Sequence, residues 1–240
     1  MEIVFLLFTV LGLSLFEIIT SVDNAIINAE VLSGMSQKAR RWFLLWGFLF
    51  AVFVVRGALP FLIVWFANPS LGPFGVITAA FSNDPHVIEA VEKSSPLLLM
   101  AGGVFLVFLF FNWLFLEPKN FGLRGEGFFQ KQGAWFFAIV SILLAVIVWF
   151  ALKIDPILAF SAVVGSTTFF IVHGFRNFAE EQEKKLLGGN MSDVSKIAYL
   201  EALDSTFSID GVIGAFAFTF SVPLILLGNG LGALVLRKLT

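Results

Sequence analysis

The sequence predicts an all-α fold, a polytopic transmembrane helix bundle of about seven spans. Three observations support this prediction: the apolar composition, the number of long apolar segments and the placement of the basic residues. Hydrophobic residues make up 58% of the chain and charged residues only 13%, where a soluble domain carries about 25% charged residues. A soluble domain of 240 residues could not bury so much apolar surface. Lipid must therefore surround most of the chain.

Seven apolar segments divide the chain. They cover roughly residues 3–28, 42–67, 96–116, 134–152, 156–175, 197–222 and 224–236. Most of them reach the ~20 residues that a helix needs to cross a hydrocarbon core of ~30 Å. The first two are longer than a membrane requires and must tilt or contain a break, whereas the seventh is short.

Shorter signals fill the connections between these segments. Residues 85–93 predict a short separate helix before the third segment. Asp155 followed by Pro156 is typical of an N-cap and a first helical residue. The charged stretch 176–196 predicts an extension of the fifth helix, a turn, and a new helix capped by Ser192.

The basic residues lie almost entirely on one side of this arrangement. Twelve of the 15 Lys and Arg residues fall in the first, third and fifth loops and the C-terminal tail. Lys93 and Lys153 fall on the other side, and Arg56 lies inside the second segment. Because basic loops stay in the cytoplasm, the N-terminus is expected outside and the C-terminus inside. A bacterial inner (plasma) membrane is the expected location.

Acidic side chains interrupt two of the apolar segments. The first carries Glu17 and Asp23, and the sixth carries Glu201, Asp204 and Asp210. A charge at mid-bilayer costs about 2.5–3.5 kcal/mol on the mildest scale. A partner charge, a bound cation, protonation or a water-filled cavity must offset this cost.

The two acidic stretches repeat one pattern with a constant offset of 187 residues (17 to 204, 23 to 210). The shared pattern is acid-x-x-x-Ser-x-Asp followed by a small or polar residue. Its members are Glu17, Ser21, Asp23 and Asn24 in the first copy, and Asp204, Ser208, Asp210 and Gly211 in the second. On the predicted topology the first and sixth helices run in opposite directions, as in an inverted repeat. Transporters built on inverted repeats bind their substrate between the repeats, near the midplane.

Helix geometry places Glu17, Ser21, Asn24 and Asn28 on one face, with Asp23 about 120° from Glu17. Because Asp and Asn are poor helix formers, we expect the helix to unwind between Ser21 and Asn24. The carboxylate, amide and hydroxyl oxygens of both copies suit hard cations, and ligand type alone does not choose among magnesium, calcium and manganese. The chain has no Cys and two His, so soft-metal and zinc sites are poorly supplied.

Other residues receive a second role or a structural one. Arg56 is expected to be a counter-charge to the acids. Glu201 is read either as a solvated helix end or as a site residue, and Asn28 as a residue of the ion pathway. Two glycine groups are expected to be sites of close helix packing. They are Gly102-Gly103 and Gly228, Gly230 and Gly232.

The two motifs resemble those of the TerC family, in a branch without an assigned function, related to the LysE-type exporters. Glu17, Ser21, Asp23 and Asn24 match the family's first motif, Glu-x-x-x-Ser-x-Asp-Asn. In its second motif, Glu-x-x-Phe-Ser-x-Asp-Ser, the residues Phe207, Ser208 and Asp210 match. Asp204 replaces the Glu and Gly211 replaces the last Ser. The resemblance implies manganese export or wider metal-ion homeostasis, with links to tellurite resistance. The chain is expected to be a single transporter-like domain, 1–240. Because the resemblance also implies further helices after residue 240, C-terminal truncation is left open.

The expected function is therefore secondary transport of a divalent metal cation, with manganese export as the first choice and calcium or magnesium as alternatives. No permanently bound cofactor, enzymatic activity or nucleic-acid partner is expected. The expected partners are the lipid bilayer and the metal ion, and a homo-oligomer is left open. Two other readings remain. One is a membrane assembly factor that delivers metal to exported proteins; the other is an intramembrane aspartyl protease whose two carboxyl groups share a proton.

Overall fold

The computed structural model describes residues 2–67, 69–79, 85–117, 128, 131–187, 192–219 and 221–238, and the side chain of Asp23 lies outside that description. These residues form an all-α bundle without strands, which confirms the predicted fold class. Its helices are α1 (Glu2–Ser33), α2 (Gln37–Trp42), α3 (Arg56–Ala67), α4 (Gly72–Ala79), α5 (Pro85–Phe115), α6 (Ala134–Leu152), α7 (Pro156–Leu187), α8 (Asp193–Ala215) and α9 (Val222–Arg237).

Among the described residues, five stretches of helix are long and apolar enough to cross a membrane. They are Ile3–Val22, Gln37–Phe66, Ser95–Phe115, Ala134–Leu152 and Pro156–Phe175. Large apolar side chains on these helices are exposed rather than packed inside the bundle; Phe66, for example, is 75% exposed. Such a surface suits lipid as its solvent. The helix α8 carries the second acidic motif and α9 has only 16 residues, so a count of seven spans stays a prediction.

The contacts of α1 with α8 show that these two helices run in opposite directions. Glu17 of α1 lies against Gly211 of α8. About two turns further along α1, Asn24 contacts Asp204, which lies earlier in α8. As positions advance on α1 they therefore retreat on α8. This is the relation expected for the first and sixth helices of the predicted topology.

The contacts of α5 with α7 show that these two helices run in the same direction. Gly165 of α7 packs against the backbone of Ala101 in α5. One turn further along both helices, the rings of Phe105 and Phe169 meet with centroids 5.9 Å apart. The predicted topology makes them the third and fifth helices, which must point the same way.

Glycines allow the helices around α1 and α8 to approach closely. The sequence predicts close packing at five glycines, and the structure confirms it at three of them. A Cβ added at Gly102 would lie 2.7 Å from the Ala217 nitrogen, and one at Gly232 would lie 2.7 Å from the Ser14 oxygen. Gly228 packs directly on Leu13. At Gly103 and Gly230 an added Cβ would meet no atom within 4 Å, so close packing does not explain these two glycines.

Two predicted helix boundaries are wrong. Residues 85–93 do not form a separate helix, because α5 runs from Pro85 to Phe115 with Pro96 inside it. Proline is tolerated within membrane helices when neighbouring groups satisfy the freed backbone. The first helix does not unwind either, since α1 is α-helical from Glu2 to Ser33. The polar groups of Ser21 and Asn24 bond to other side chains, and so do not compete for the helical backbone bonds.

The second helix departs from ideal geometry in a different way. Residues 37–67 are helical throughout, but two stretches, Phe43–Gly47 and Phe50–Val55, are π-helical. The helix is therefore wider, not broken. Arg56 follows directly after the second π-helical stretch. π-Helical turns are rare and are found frequently at functional sites.

A third predicted boundary is wrong, because the sixth predicted helix, α8, ends at Ala215, seven residues before the predicted end at 222, but three other predicted helix ends are confirmed. The helix α6 has the predicted bounds, 134–152. Asp155 accepts a hydrogen bond from the Ile157 amide at 2.8 Å, as an N-cap does. The helix α7 extends to Leu187, and Ser192 caps α8 by accepting from the Ser195 amide.

Candidate functional site

Glu17 of α1 is completely buried and forms an ion pair with Arg56. Nη1 of Arg56 contacts Oε1 of Glu17. The hydroxyl of Ser21 donates a hydrogen bond to the same oxygen at 2.8 Å. The second oxygen of Glu17, Oε2, is buried and has no hydrogen-bond partner among the described residues. The prediction that Arg56 is a counter-charge to a motif acid is confirmed. An unpaired charge at this depth would cost several kcal/mol, so the guanidinium stabilises the carboxylate.

Arg56 contacts both copies of the motif. Its Nε atom donates to the hydroxyl of Ser208 at 3.0 Å. That hydroxyl in turn donates to the backbone oxygen of Asp204 at 2.6 Å. One guanidinium thus joins Glu17 of the first motif to Ser208 of the second.

Asp204 of α8 is buried and accepts hydrogen bonds from two side-chain amides. Its Oδ1 atom accepts from the side-chain nitrogens of Asn24 at 2.5 Å and Asn28 at 2.8 Å. The side-chain oxygens of these two asparagines are buried and have no hydrogen-bond partner among the described residues. The Asp204 carboxylate therefore lies beside two asparagine side chains whose oxygens are unsatisfied among the described residues. Asn28, predicted only as a pathway residue, is a direct partner of the acid.

The two motifs meet in a reciprocal way. The first position of copy one, Glu17, contacts the last position of copy two, Gly211. The last position of copy one, Asn24, contacts the first position of copy two, Asp204. Contact of i with j together with j with i is the pattern that a two-fold axis produces. Antiparallel packing of α1 and α8 produces this pattern, and it agrees with the predicted inverted repeat.

Gly211 breaks this reciprocity at one point. Asn24 donates its amide to Asp204, but Gly211 has no side chain that could donate to Glu17. A Cβ added at Gly211 would lie 2.5 Å from Glu17 Oε2, so the glycine leaves room for the carboxylate. Arg56 supplies the donor that residue 211 lacks. Asn229 of α9, which the sequence analysis missed, donates to the Gly211 backbone oxygen at 3.1 Å.

A cavity of about 60 Å³ opens beside Asp204. Its polar lining comes from Ser21, Asn24, Asn28, Arg56, Asp204 and Arg237. Phe48 also lines it, with the guanidinium carbon of Arg237 4.9 Å from the Phe48 ring centroid. About 10–15 Å³ suffices for one water molecule, so the cavity has room for an ion with part of its hydration shell. Sequence reasoning missed Phe48 and Arg237, because neither belongs to the motif or to its helix face.

Asp210 does not line this cavity. It is buried and borders a second cavity of about 330 Å³, together with Thr20, Trp113 and Glu117. Six residues separate Asp210 from Asp204 on a regular helix, which is a rotation of about 240°. The two aspartates of α8 therefore point to different sides. A metal role for Asp210 stays a prediction.

The remaining predicted site residues stand apart. Glu201 lies against Gly47 of the first π-helical stretch, and both its carboxylate oxygens lack a hydrogen-bond partner among the described residues. It borders a groove formed by Trp42, Trp46 and neighbouring apolar side chains, not the Asp204 cavity. The side chain of Asp23 lies outside the described residues. Among the described side chains, no group of three or more His, Cys, Asp or Glu comes together. Any cation held here would need amide, hydroxyl or backbone oxygens beside Asp204.

The comparison with protein families gives one match. A family described as Protein of unknown function (DUF475) matches residues 22–240, so the match begins within α1, after Glu17 and Ser21. No curated protein and no solved structure matches the chain. The resemblance to the TerC family stays a prediction, because the description of the matched family names no function. The match covers well over half of the sequence, and the chain therefore belongs to the DUF475 family.

Proposed function

We propose that this protein is a secondary transporter that exports a divalent cation, with manganese as the first cation to test. It would act in a bacterial inner membrane as a bundle of about seven spans, with the N-terminus outside and the C-terminus in the cytoplasm. The cation is its substrate and no resident cofactor is proposed.

The observation that carries this proposal is the environment of Asp204. A buried carboxylate lies beside two buried amide oxygens, those of Asn24 and Asn28, which have no hydrogen-bond partner among the described residues. Buried polar atoms are satisfied in the great majority of cases, so unsatisfied acceptors call for a donor or a cation. Oxygen ligands of this kind suit a hard divalent cation.

The position of the cavity supports transport rather than static binding. It lies between two motif copies on helices of opposite direction, which is where carriers with inverted repeats bind their substrates. Asp204 is the one carboxylate among the described residues that line the cavity, and the guanidinium groups of Arg56 and Arg237 border it. A site with one carboxylate holds a cation less tightly than a structural site with several carboxylates would. Exchange for protons would give the transport its driving force.

Ion flux into proteoliposomes of the purified protein tests the proposal. We expect uptake of manganese by the wild type and its loss in Asp204→Asn, because the amide replaces the one carboxylate among the described residues that line the cavity. Asp155→Asn is the matched control, since Asn also caps a helix well and Asp155 lies outside the site. Wild-type flux is expected to persist in that control.

Two results would overturn the proposal. The first is the absence of manganese, calcium and magnesium flux in the folded wild type. The second is equal manganese flux in wild type and Asp204→Asn. Calcium or magnesium flux without manganese flux would overturn the choice of cation alone.

A further inference from the structure

We propose that Arg56 is a tethered cation that competes with the transported cation for Glu17. This inference rests on the proposed function and concerns how the site loads and empties. While the guanidinium is bound to Glu17, it occupies the place of the transported cation. When the guanidinium leaves, the Glu17 carboxylate becomes a ligand of that cation.

The burial of Glu17 is the first reason. Its side chain is completely buried and Arg56 is 7% exposed, so neither charge has water to stabilise it. A buried carboxylate that loses its partner costs about 3–5 kcal/mol. While it is ionised, Glu17 therefore requires a positive charge beside it, and a second cation could replace the guanidinium without that cost.

The asymmetry of the two half-sites is the second reason. Asp204 accepts hydrogen bonds from Asn24 and Asn28. The side-chain oxygens of these asparagines have no hydrogen-bond partner among the described residues, so they are available to coordinate a cation. Glu17 has Gly211 in the place that corresponds to Asn24, and its Oε2 has no hydrogen-bond partner among the described residues. The Glu17 half-site thus lacks an amide of its own, and the guanidinium of Arg56 fills that place.

The route that Arg56 could take is the third reason. Arg56 lines the cavity that contains Asp204, Asn24 and Asn28, so its side chain already borders the cargo site. A cation that enters beside Asp204 would lie close to the guanidinium and repel it. Arg56 would leave Glu17, and the freed carboxylate would complete the coordination. Return of Arg56 to Glu17 would then weaken coordination and promote release.

Removing the guanidinium should therefore change binding and transport in opposite directions. In Arg56→Gln the competitor is gone and Glu17 is free for the cargo, so the Kd for manganese should fall about tenfold or more, the effect of relieving a like-charge contact. Manganese flux should fall, because the tightly held ion is no longer expelled. Arg56→Lys keeps the positive charge and should stay close to the wild type in affinity. Equilibrium binding of radioactive manganese to purified protein and flux in proteoliposomes give the two readouts.

A merely structural role of Arg56 predicts something else. Arg56→Gln would then bind manganese no more tightly than the folded wild type, and that result would overturn the inference. Failure of the wild type to transport any divalent cation would overturn the proposed function. Wild-type flux without tighter binding in Arg56→Gln would overturn only the tethered cation.

A second pair of variants serves if Arg56→Gln does not fold. In Glu17→Gln the guanidinium loses its partner and remains beside the cavity, so manganese affinity should fall at least tenfold. In Glu17→Gln/Arg56→Gln both charges are absent, and affinity should recover most of that loss. Equal affinity in the single and double variants would contradict competition by Arg56.

Discussion

Two buried carboxylates of the same motif position are stabilised by different chemistry. Glu17 has a guanidinium and a hydroxyl, whereas Asp204 has two amide nitrogens. Amides are dipoles and leave the negative charge of Asp204 largely uncompensated, whereas a guanidinium cancels a full charge. Asp204, the residue with the amides, is consequently the ligand that we propose for the transported cation.

The amide of Asn28 offers a direct test at this scale. It donates to Asp204 at 2.8 Å, and its own oxygen is free of hydrogen bonds among the described residues. Loss of a hydrogen bond to a charged group costs about 1.5–3 kcal/mol. We expect Asn28→Ala to raise the KM for manganese flux about tenfold, measured as initial rates in proteoliposomes over a range of manganese concentrations.

The control for this variant is Asn177→Ala. Asn177 is exposed, its side-chain nitrogen lies 3.3 Å from Nε2 of His173, and it does not line the Asp204 cavity. Its removal makes the same chemical change outside the site, and the KM should stay at the wild-type value. A KM in Asn28→Ala that equals that of Asn177→Ala would remove the Asn28 amide from the cation site.

Sequence spacing predicts some of these contacts and cannot predict others. The helical period alone places Glu17, Ser21, Asn24 and Asn28 on one face, and the structure confirms that face. The same period places Asp204 and Asp210 on different sides of their helix, although the repeated motif contains both residues. The partners of each residue on other helices, such as Arg56 on Ser208, depend on tertiary packing. No local pattern contains that information.

At the scale of elements, α1 is the helix on which the site depends, because it packs directly on both α8 and α9. Ser14 of α1 donates its hydroxyl to the Gly228 oxygen at 2.9 Å, and Gly211 of α8 lies on Glu17. Small residues let backbones approach closely enough for such contacts in lipid, where apolar burial does not drive helices together. The position of Glu17 is thus fixed by glycines on two neighbouring helices.

Gly232 and Gly230 on α9 provide a matched pair of substitutions. A Cβ at Gly232 would lie 2.7 Å from both the Ser14 oxygen and the Glu17 Cβ, whereas one at Gly230 would meet no atom within 4 Å. We expect Gly232→Ala to destabilise the protein by about 1–3 kcal/mol, the cost of overpacking. Gly230→Ala should be neutral or slightly stabilising, since Ala favours helix by about 0.8–1.0 kcal/mol over Gly. Thermal unfolding of the purified proteins in detergent gives the comparison, and a Gly232→Ala protein as stable as Gly230→Ala would contradict the close packing.

Element ends that depend on local chemistry were predictable, and those that depend on packing were not. The caps at Asp155 and Ser192 follow from side chains next to the backbone they cap. The continuity of α1 through Asn24 depends on Asp204, a residue 180 positions away. The π-helical stretches before Arg56 carry no sequence signal that we recognise, although a proline-free apolar run permits them.

At the scale of the whole molecule, the directions of the helices agree with one alternating path through the membrane. The helices α1 and α8 oppose each other, and α5 and α7 run together, as the predicted order of spans requires. Composition and periodicity thus predict the class of fold, whereas the side of the membrane that the loop charges assign to each end stays a prediction. Neither predicts which helices touch, because many arrangements of apolar helices satisfy the same hydropathy.

The orientation of the bundle can be tested at the two ends of α6. Lys131 and Lys153 are both exposed, and they lie on opposite sides of the apolar stretch Ala134–Leu152. Because the chain has no native Cys, each variant, Lys131→Cys or Lys153→Cys, carries a single thiol. We expect a membrane-impermeant maleimide to label Lys153→Cys in intact cells and Lys131→Cys only after permeabilisation, since basic loops remain in the cytoplasm.

The opposite labelling would place the C-terminus outside. The cavity lies beside Arg237 near the end of α9, so an inverted bundle would open this cavity towards the exterior and favour uptake over export. Labelling of both thiols in intact cells would mean that α6 does not cross the membrane at all. The expected pattern, with the cavity on the cytoplasmic side, is the orientation in which Asp204 would collect a cation from inside the cell for export.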